Sequence, residues 1–454
     1  MEKYDICIIG AGPAGYKTAK ILAKNGKKVC LIEKDENNLG GTCLNEGCIP
    51  AKNYLQSSEY IKKSIHFLKQ GVNVKIDGFE LVKLKKETSL LLDTLRNGLD
   101  VSLKNLGIDL IFGEASFISE DEIIINDINQ KIKADKFVIS TGSSHKEHPL
   151  LKIDKEFILS SREVFKLEKI PQSILIIGAG AIGCEFANFF NSIGSKVHLI
   201  EFTPNILPLE DDDVSKTLLR EFKKQKIKVE TDISATSYQI KDSMIEVTLK
   251  DKKGEKVNSY DRVLISIGRV PNTKSLNLQQ AKIESDDRGF IEVDSSFKTT
   301  NDKVYAIGDT IRTPALAHVA YSEASAVADD ILYGKKSINS VVPNVVFTTP
   351  QVASVGKNEK TLKEEGISYH VEKLFFKSLG MPKIKGDDSG FVKLILNNEK
   401  DSILGCSIVG YDATEIINQV AICINANISL KDIKSMIFAH PTMSESFHHL
   451  VESI

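Results

Sequence analysis

The sequence predicts an α/β protein built on two parallel-sheet, Rossmann-like dinucleotide-binding domains. Three observations point there. A strand–glycine loop–helix–strand pattern occurs twice, an acid ends the second strand of each copy at the same offset, and a close cysteine pair follows the first copy.

The first copy is Ile8-Ile9-Gly10-Ala11-Gly12-Pro13-Ala14-Gly15, closing a strand and opening a helix over 16–25; the next strand, 28–32, ends at Glu33, 23 positions after Gly10. Gly10 suits the tight turn and Gly12 a close backbone approach to a pyrophosphate at the helix N-terminus. Gly15 lets the helix pack on the strand, and Glu33 can accept hydrogen bonds from a ribose. A glycine triplet alone is weak evidence; the flanking strands and the acid make it strong.

Next comes Gly40-Gly41-Thr42-Cys43-Leu44-Asn45-Glu46-Gly47-Cys48-Ile49-Pro50-Ala51-Lys52. A metal site would need more ligands than this segment holds, so no metal is expected. Seven cysteines in 454 residues is sparse usage of an intracellular kind, which argues against a static staple. Cys7, Cys30, Cys184, Cys406 and Cys423 lie in apolar runs and read as inert core residues. The pair Cys43 and Cys48 reads as redox-active. Five residues of regular helix would separate them by about 7.5 Å of rise and roughly 140° of rotation, which a disulfide does not tolerate. The segment is therefore expected to be a helix start with an irregular first turn, supplied by Asn45 and Gly47, and a helix N-terminus there would stabilise a thiolate.

The second copy runs from 173–177 into Gly178-Ala179-Gly180-Ala181-Ile182-Gly183, and its second strand, 196–200, ends at Glu201, again 23 positions after the first glycine. A carboxylate at Glu201 welcomes a free ribose 2′-hydroxyl and repels a 2′-phosphate, which favours NAD over NADP. Two further strand ends, 137–142 and 304–309, suit a flavin, with Gly308 for close approach and Asp309 as acceptor for a hydroxylated chain. Near the C-terminus, His440-Pro441-Thr442-Met443-Ser444-Glu445 pairs an imidazole with a carboxylate five positions on. Such a carboxylate fixes the tautomer and raises the basicity, and thiol chemistry needs a base. His66, His145, His148, His198, His370, His448 and His449 carry no such context.

Composition sets the outer limits. Hydrophobic residues at 42%, charged residues at 26% and a formal net charge of -2 describe an ordinary globular chain with no call for nucleic acid or membrane. No apolar run reaches transmembrane length. The chain opens at once on a strand, so a cytoplasmic location is expected, a processed organelle protein being the alternative.

Taken together, these motifs resemble the flavin-dependent pyridine nucleotide–disulfide oxidoreductases, essentially end to end, and most closely their dihydrolipoamide-oxidising branch. The resemblance implies an FAD domain over 1–142, an NAD domain over 143–270, a central domain over 271–340 completing the FAD site, and a C-terminal α+β dimerisation domain over 341–454. It implies one non-covalent FAD per subunit and a homodimer whose C-terminal histidine reaches the disulfide of the other subunit. Lipoyl domains and the core of a 2-oxo-acid dehydrogenase or glycine-cleavage complex are the implied partners. Cys43 would then be the thiol that meets substrate, Cys48 the thiol nearest the flavin, His440 the acid/base and Glu445 its partner. Lys52 would lie near the flavin, paired with Glu185. Gly113, Thr141, Gly142, Ser143, Asp309 and the run Ala315-Leu316-Ala317-His318 match FAD-contacting positions, His318 through its backbone. Gly178, Gly180, Ile182, Gly183, Glu185, Glu201, Ile233 and Gly268 match NAD-contacting ones.

The chain departs from the branch's pattern at Glu46, Ala51 and Val319-Ala320-Tyr321-Ser322, none of which removes a reacting group. Glutathione-reducing relatives share the cysteines and the His–Glu pair. They use NADPH with arginine near the adenosine ribose, where this chain has Glu201-Phe202, and tyrosine where it has Ala181. A mercuric reductase would need cysteines after Cys423, and a soluble transhydrogenase lacks the pair. A purely structural subunit of a multienzyme complex would need neither the cysteines nor the base.

Overall fold

The computed structural model describes residues 2–335 and 340–454. It divides into two compact units: Met1–Asn53, Lys83–Lys146 and Gly268–Asn339 in one, Tyr54–Val82, Glu147–Ile267 and Ser340–Ile454 in the other.

In the first unit, five parallel strands lie in the order Asp109–Phe112, Val29–Glu33, Glu2–Ile9, Gln130–Ile139 and Val304–Ala306. Glu122–Ile125 and Ala115–Phe117 extend the sheet as an antiparallel meander. The second unit repeats the plan in the order Lys228–Glu230, Lys196–Ile200, Ser173–Ile177, Arg262–Ile265 and Ile158–Leu159. A three-stranded antiparallel meander, Ser234–Lys241, Met244–Asp251 and Gly254–Tyr260, again precedes the fourth strand. Val29–Glu33 is buried at every position, as expected of a parallel strand covered on both faces.

Both fingerprint strands occupy the middle of their sheets, so both glycine turns emerge at the carboxyl ends, where open α/β sheets bind ligands. Ile9 pairs with Ile139, and Ile177 with Ile265. That register delivers Gly10 beside Ser140 and Gly178 beside Ser266.

The second unit also holds a five-stranded antiparallel sheet in the order Asn344–Val346, Gln351–Gly356, Ile403–Gly410, Phe391–Leu396 and His370–Phe375. Its core joins Val392, Leu394 and Ile408 to Ile416, Ile417 and Val420 of helix Ala413–Asn425, and to Phe447 and Val451 of helix Glu445–Glu452. The fully buried Lys393 of Phe391–Leu396 is neutralised by Asp211 Oδ2 at 2.7 Å, Asp213 Oδ1 at 2.8 Å and Glu359 Oε1 at 3.1 Å. A buried ammonium is tolerable only with such partners. Among the described residues, no helix is long and apolar enough to cross a membrane.

Candidate active site

The two glycine turns are built alike. A Cβ on Gly10 would stand 2.4 Å from the Ser140 carbonyl oxygen, and one on Gly178 2.5 Å from that of Ser266. Both glycines have φ near +100°, a left-handed conformation costly for other residues. A Cβ on Gly15 would fall 1.8 Å from the Gly10 carbonyl oxygen, and one on Gly183 1.9 Å from that of Gly178. Helix and turn therefore touch backbone to backbone. Gly12 and Gly180 cap helices Pro13–Lys24 and Ala181–Ser192 in matching extended conformations.

A serine completes each turn. Ser140 Oγ donates to the Gly10 carbonyl at 2.9 Å, and Ser266 Oγ to the Gly178 carbonyl at 2.8 Å. The acids close the loops from the other side. Glu33 Oε2 accepts the Ala11 N–H at 3.0 Å, and Glu201 Oε2 the Ala179 N–H at 2.7 Å. Burial pushes the Glu33 carboxyl above the usual carboxylate range, against backbone hydrogen bonds that pull it down. Glu201 Oε1 accepts from both the N–H and hydroxyl of Thr203, each at 2.9 Å, while Phe202 beside it is exposed.

The cysteine segment is fastened to the first turn. Gly40 N–H donates to the Ala11 carbonyl at 3.0 Å, and a Cβ on Gly41 would come within 2.7 Å of Gly12 Cα. Cys43 lies on the short helix Gly41–Asn45, and Cys48 opens a new one, Cys48–Lys69. The expected irregular first turn is thus a break between two helices, at Glu46 and Gly47. Glu46 N–H still reaches Thr42 O at 2.9 Å, but its φ of −141° leaves the helix. Gly47 then packs on the preceding turn: its Cβ would meet Thr42 O at 2.8 Å and Cys43 Cα at 3.4 Å. Asn45 ties the short helix down, donating to Leu39 O and Gly41 O, and accepts from Arg96 Nε at 3.2 Å.

This folding brings the two sulfurs together. Cys43 is half-buried and Cys48 exposed. The hydrogen bond to Cys48, burial and the neighbouring sulfur's charge drive the Cys43 thiol well above its ordinary range. The Cys48 backbone N–H and the Lys52 charge oppose them. The N-terminus of the long helix therefore meets the Cys43 sulfur through the Cys48 N–H, but the opposing causes outweigh it, so the expected thiolate stabilisation does not prevail at Cys43. The hydroxyls of Tyr16 and Tyr321 hydrogen-bond to each other within electrostatic range of both sulfurs.

Gly113 follows strand Asp109–Phe112, its N–H on Glu33 O at 2.9 Å and its φ at +145°. Thr141 Oγ1 donates to Asn272 O at 2.7 Å, and the Gly142 carbonyl accepts the Asn272 N–H at 2.9 Å. Ser143 Oγ donates to Asp309 Oδ2 at 2.5 Å. Ala315 and Leu316 lead into helix Ala317–Tyr333, with His318 exposed in its first turn. Ile233 is buried, its N–H on Glu201 O at 3.1 Å, and Gly268 O accepts the Lys146 N–H at 2.9 Å. Ile182 and Glu185 lie on the second fingerprint helix. Glu185 Oε1 accepts the Phe347 N–H at 3.0 Å. Lys52 and Glu185 belong to different compact units.

His440 Nδ1 and Glu445 Oε1 lie 2.8 Å apart, and Glu445 Oε2 accepts the Thr442 N–H at 2.7 Å. The imidazole is 81% exposed, so Nε2 is left to meet a reacting group. Burial raises the Glu445 carboxyl, but the Thr442 N–H and His440 win and hold it below the usual range. It stays a carboxylate and keeps the Nδ1 proton in place.

Four contributors were not legible in the motifs. Ser140 and Ser266 had a signal in the parallel runs Val138-Ile139-Ser140-Thr141-Gly142 and Leu264-Ile265-Ser266-Ile267-Gly268. Arg269, one residue after Gly268, donates to Ser143 Oγ at 2.6 Å and sits 3.6 Å from Asp309 Oδ2. His449, given no context by its sequence neighbours, has Nε2 3.7 Å from Glu445 Oε1, one helical turn away.

Comparison with known proteins agrees with this arrangement. The profile described as pyridine nucleotide-disulphide oxidoreductase matches residues 4–324, and that family's dimerisation domain matches residues 342–451. The chain is 35% identical to a dihydrolipoyl dehydrogenase of Chlamydia muridarum over 98% of this chain and 95% of that one. It is 36% identical to the mitochondrial dihydrolipoyl dehydrogenase of Pisum sativum over 98% of this chain and 90% of that one. The Cu(II) complex of the HOCl-induced flavoprotein disulfide reductase RclA from Escherichia coli superposes with a TM-score of 0.90 at 29% identity, covering all of both chains. With two glycine turns, a cysteine pair fastened to the first and matches across nearly its whole length, the chain belongs to the pyridine nucleotide-disulphide oxidoreductases, a family of enzymes.

Proposed function

We propose that the protein oxidises protein-bound dihydrolipoamide to lipoamide, with NAD+ as final acceptor. The observation that carries this reading is the Cys43–Cys48 pair, held sulfur to sulfur by the Gly47 break and fastened to the first glycine turn. Relatives named dihydrolipoyl dehydrogenase support the substrate class.

The first turn fits a dinucleotide such as FAD. Side chains are excluded at Gly10 and Gly15, and Gly308, at φ +69°, brings backbone alongside Ala14 and Ala320. Gly10, Gly12, Gly15, Glu33, Gly113, Thr141, Gly142, Ser143, Asp309 and Ala315 to His318 would hold it, with Lys52 beside it. When bound, FAD would carry the electron pair from the thiols to the nicotinamide. The second turn, with Ile182, Glu185, Ile233 and Gly268, would hold NAD. Glu201, anchored on Ala179 and Thr203, presents a carboxylate where a 2′-phosphate would need a cation.

The protein's own residues handle protons and sulfur. In the oxidised enzyme, His440 Nε2 takes the proton of a substrate thiol while Glu445 holds Nδ1–H. The thiolate attacks the Cys43 sulfur, the Cys43–Cys48 bond breaks, and Cys48 leaves as a thiolate. The second substrate thiol passes its proton to the departing Cys43 sulfur as it attacks the substrate sulfur joined to Cys43. Lipoamide closes its ring and Cys43 is released, so the cysteines gain the two electrons the substrate loses.

On this reading the chain divides at 142, 270 and 340 into FAD, NAD, central and interface domains, with 336–339 outside the described residues. It works as a cytoplasmic homodimer, each His440 serving the partner's cysteines, and meets lipoyl domains of a 2-oxo-acid dehydrogenase or glycine-cleavage complex. Steady-state turnover with dihydrolipoamide against glutathione as donor, and NAD+ against NADP+ as acceptor, tests it. The expected preference is dihydrolipoamide and NAD+. Faster turnover of glutathione with the NADP couple would replace this reading with that of a glutathione-reductase-type enzyme. A colourless protein without flavin and without turnover would leave a structural subunit.

A further inference from the structure

Two clusters among the described residues could hold a cation: Asp211, Asp213 and Glu359, and His448, His449 and Glu452. The first already surrounds the Lys393 ammonium. The second combines two imidazole nitrogens with one carboxylate, a ligand set that suits zinc. We propose that His448, His449 and Glu452 form a binding site for a divalent cation of the Zn2+ type, and that its occupancy is felt at His440 through Glu445.

The geometry comes from the helix Glu445–Glu452. His448 and Glu452 are one turn apart, and His449 precedes Glu452 by three residues, so all three share one side. Glu452 Oε2 lies 3.0 Å from His449 Nδ1 and 3.7 Å from His448 Nδ1. Ligands at about 2.1 Å from a tetrahedral zinc stand roughly 3.4 Å from one another, between those two separations. The His448 ring is stacked on Phe438, with centroids 4.5 Å apart and planes at 20°, so its aim is fixed before an ion arrives. A water would complete the shell on the open side, where the His449 and Glu452 side chains are 43% and 48% exposed.

Coupling follows from the other nitrogen of His449. Nε2 lies 3.7 Å from Glu445 Oε1, the same oxygen that faces His440 Nδ1 at 2.8 Å. A cation on Nδ1 keeps the proton on Nε2 and aims it at Glu445, the carboxylate–histidine–metal arrangement that strengthens such ligands. Glu445 would then serve two imidazoles, one carrying a dication, which loosens its hold on the His440 Nδ1–H. Against the site stands His448 Nε2, which is buried without a partner and would have to carry the proton once Nδ1 binds metal. That penalty weakens the site.

The binding half is independent of the proposed reaction; the coupling half rests on the reading of His440 above. Isothermal titration of Zn2+ into the oxidised holoenzyme, with Cys43 and Cys48 held as the disulfide, tests binding. One site per chain is expected, weakened at least about tenfold in Glu452→Gln and in His448→Gln. No such site, or the same isotherm in both folded variants, overturns the proposal. Dihydrolipoamide turnover with and without Zn2+ tests the coupling: inhibition is expected in the wild type and relief in Glu452→Gln. Inhibition that persists in Glu452→Gln would place the ion's action on the thiols and overturn the coupling. Turnover unaffected by His440→Gln would instead defeat the reading of His440, leaving the binding result to stand by itself.

Discussion

Gly47→Ala tests whether backbone contact at the helix break holds the cysteines together. The added Cβ would sit 2.8 Å from Thr42 O, 3.3 Å from its carbonyl carbon and 3.4 Å from Cys43 Cα. All three are backbone atoms, so no side chain can swing aside, and the start of the long helix must retreat by about 0.5 Å, an overpacking cost of about 1–3 kcal/mol. In the dithiol form Cys48 can recede and stay hydrogen-bonded. A disulfide holds its Cα atoms within about 7 Å with facing Cβ atoms and has less room to yield. The cost therefore falls mainly on the oxidised form. At about 30 mV per 1.4 kcal/mol for a two-electron couple, the potential of the pair should rise by about 20–65 mV. The assay equilibrates wild type and variant in dithiothreitol redox buffers and counts thiols after alkylation, with melting temperature as a check on folding. A folded variant whose potential stays within about 10 mV of the wild type refutes the reasoning.

Lys393→Met should destabilise the second unit by about 3–5 kcal/mol at neutral pH, because it leaves the buried Asp211 carboxylate without its cation. Burial works against ionisation of Asp213, but hydrogen bonds from Lys373 and Lys393 win and hold its carboxyl low; its contribution is present above the ordinary carboxylate range and lost as pH falls through the folded value. The Lys393 ammonium is held above its ordinary range by Asp211 and Asp213 against burial, so its contribution is present below the ordinary lysine range and lost only at high pH. The deficit measured by urea unfolding should therefore be largest near neutrality and shrink on acidification below about pH 4; equal deficits at both would contradict the pairing. Glu445→Gln keeps a hydrogen-bonding group on His440 Nδ1 and removes the charge. Thiol oxidation should slow by about 10²- to 10³-fold with flavin content unchanged, and wild-type rates would mean that the carboxylate only holds the chain in place.

The parts of the site legible in the sequence are those whose chemistry is local. Gly10 and Gly15 touch across five residues and Glu33 closes the same loop, so the glycine spacing with its flanking strands and acid carried the reading. The Cys43–Cys48 spacing likewise excluded a straight helix, although one irregular turn could not be told from the break at Glu46–Gly47 without the packing of Gly47 on Thr42. Contacts across long stretches were not legible. Ser140 reaches Gly10 over 130 residues and Ser266 reaches Gly178 over 88, and only the likeness of their two strand ends hinted at it. Lys393, in the apolar run Phe391-Val392-Lys393-Leu394-Ile395-Leu396, gives no sign of carboxylates 34 to 182 residues away. His449 was passed over because its tie to Glu445 is a helical one, visible only once helix Glu445–Glu452 is known.

The central claim is that Cys43 and Cys48 have different jobs, one facing substrate and one facing flavin. Peptide mass mapping of the two-electron-reduced holoenzyme after limited treatment with iodoacetamide tests it most directly. The account predicts carbamidomethylation of Cys43 with Cys48 protected; modification at Cys48 with Cys43 protected would contradict it.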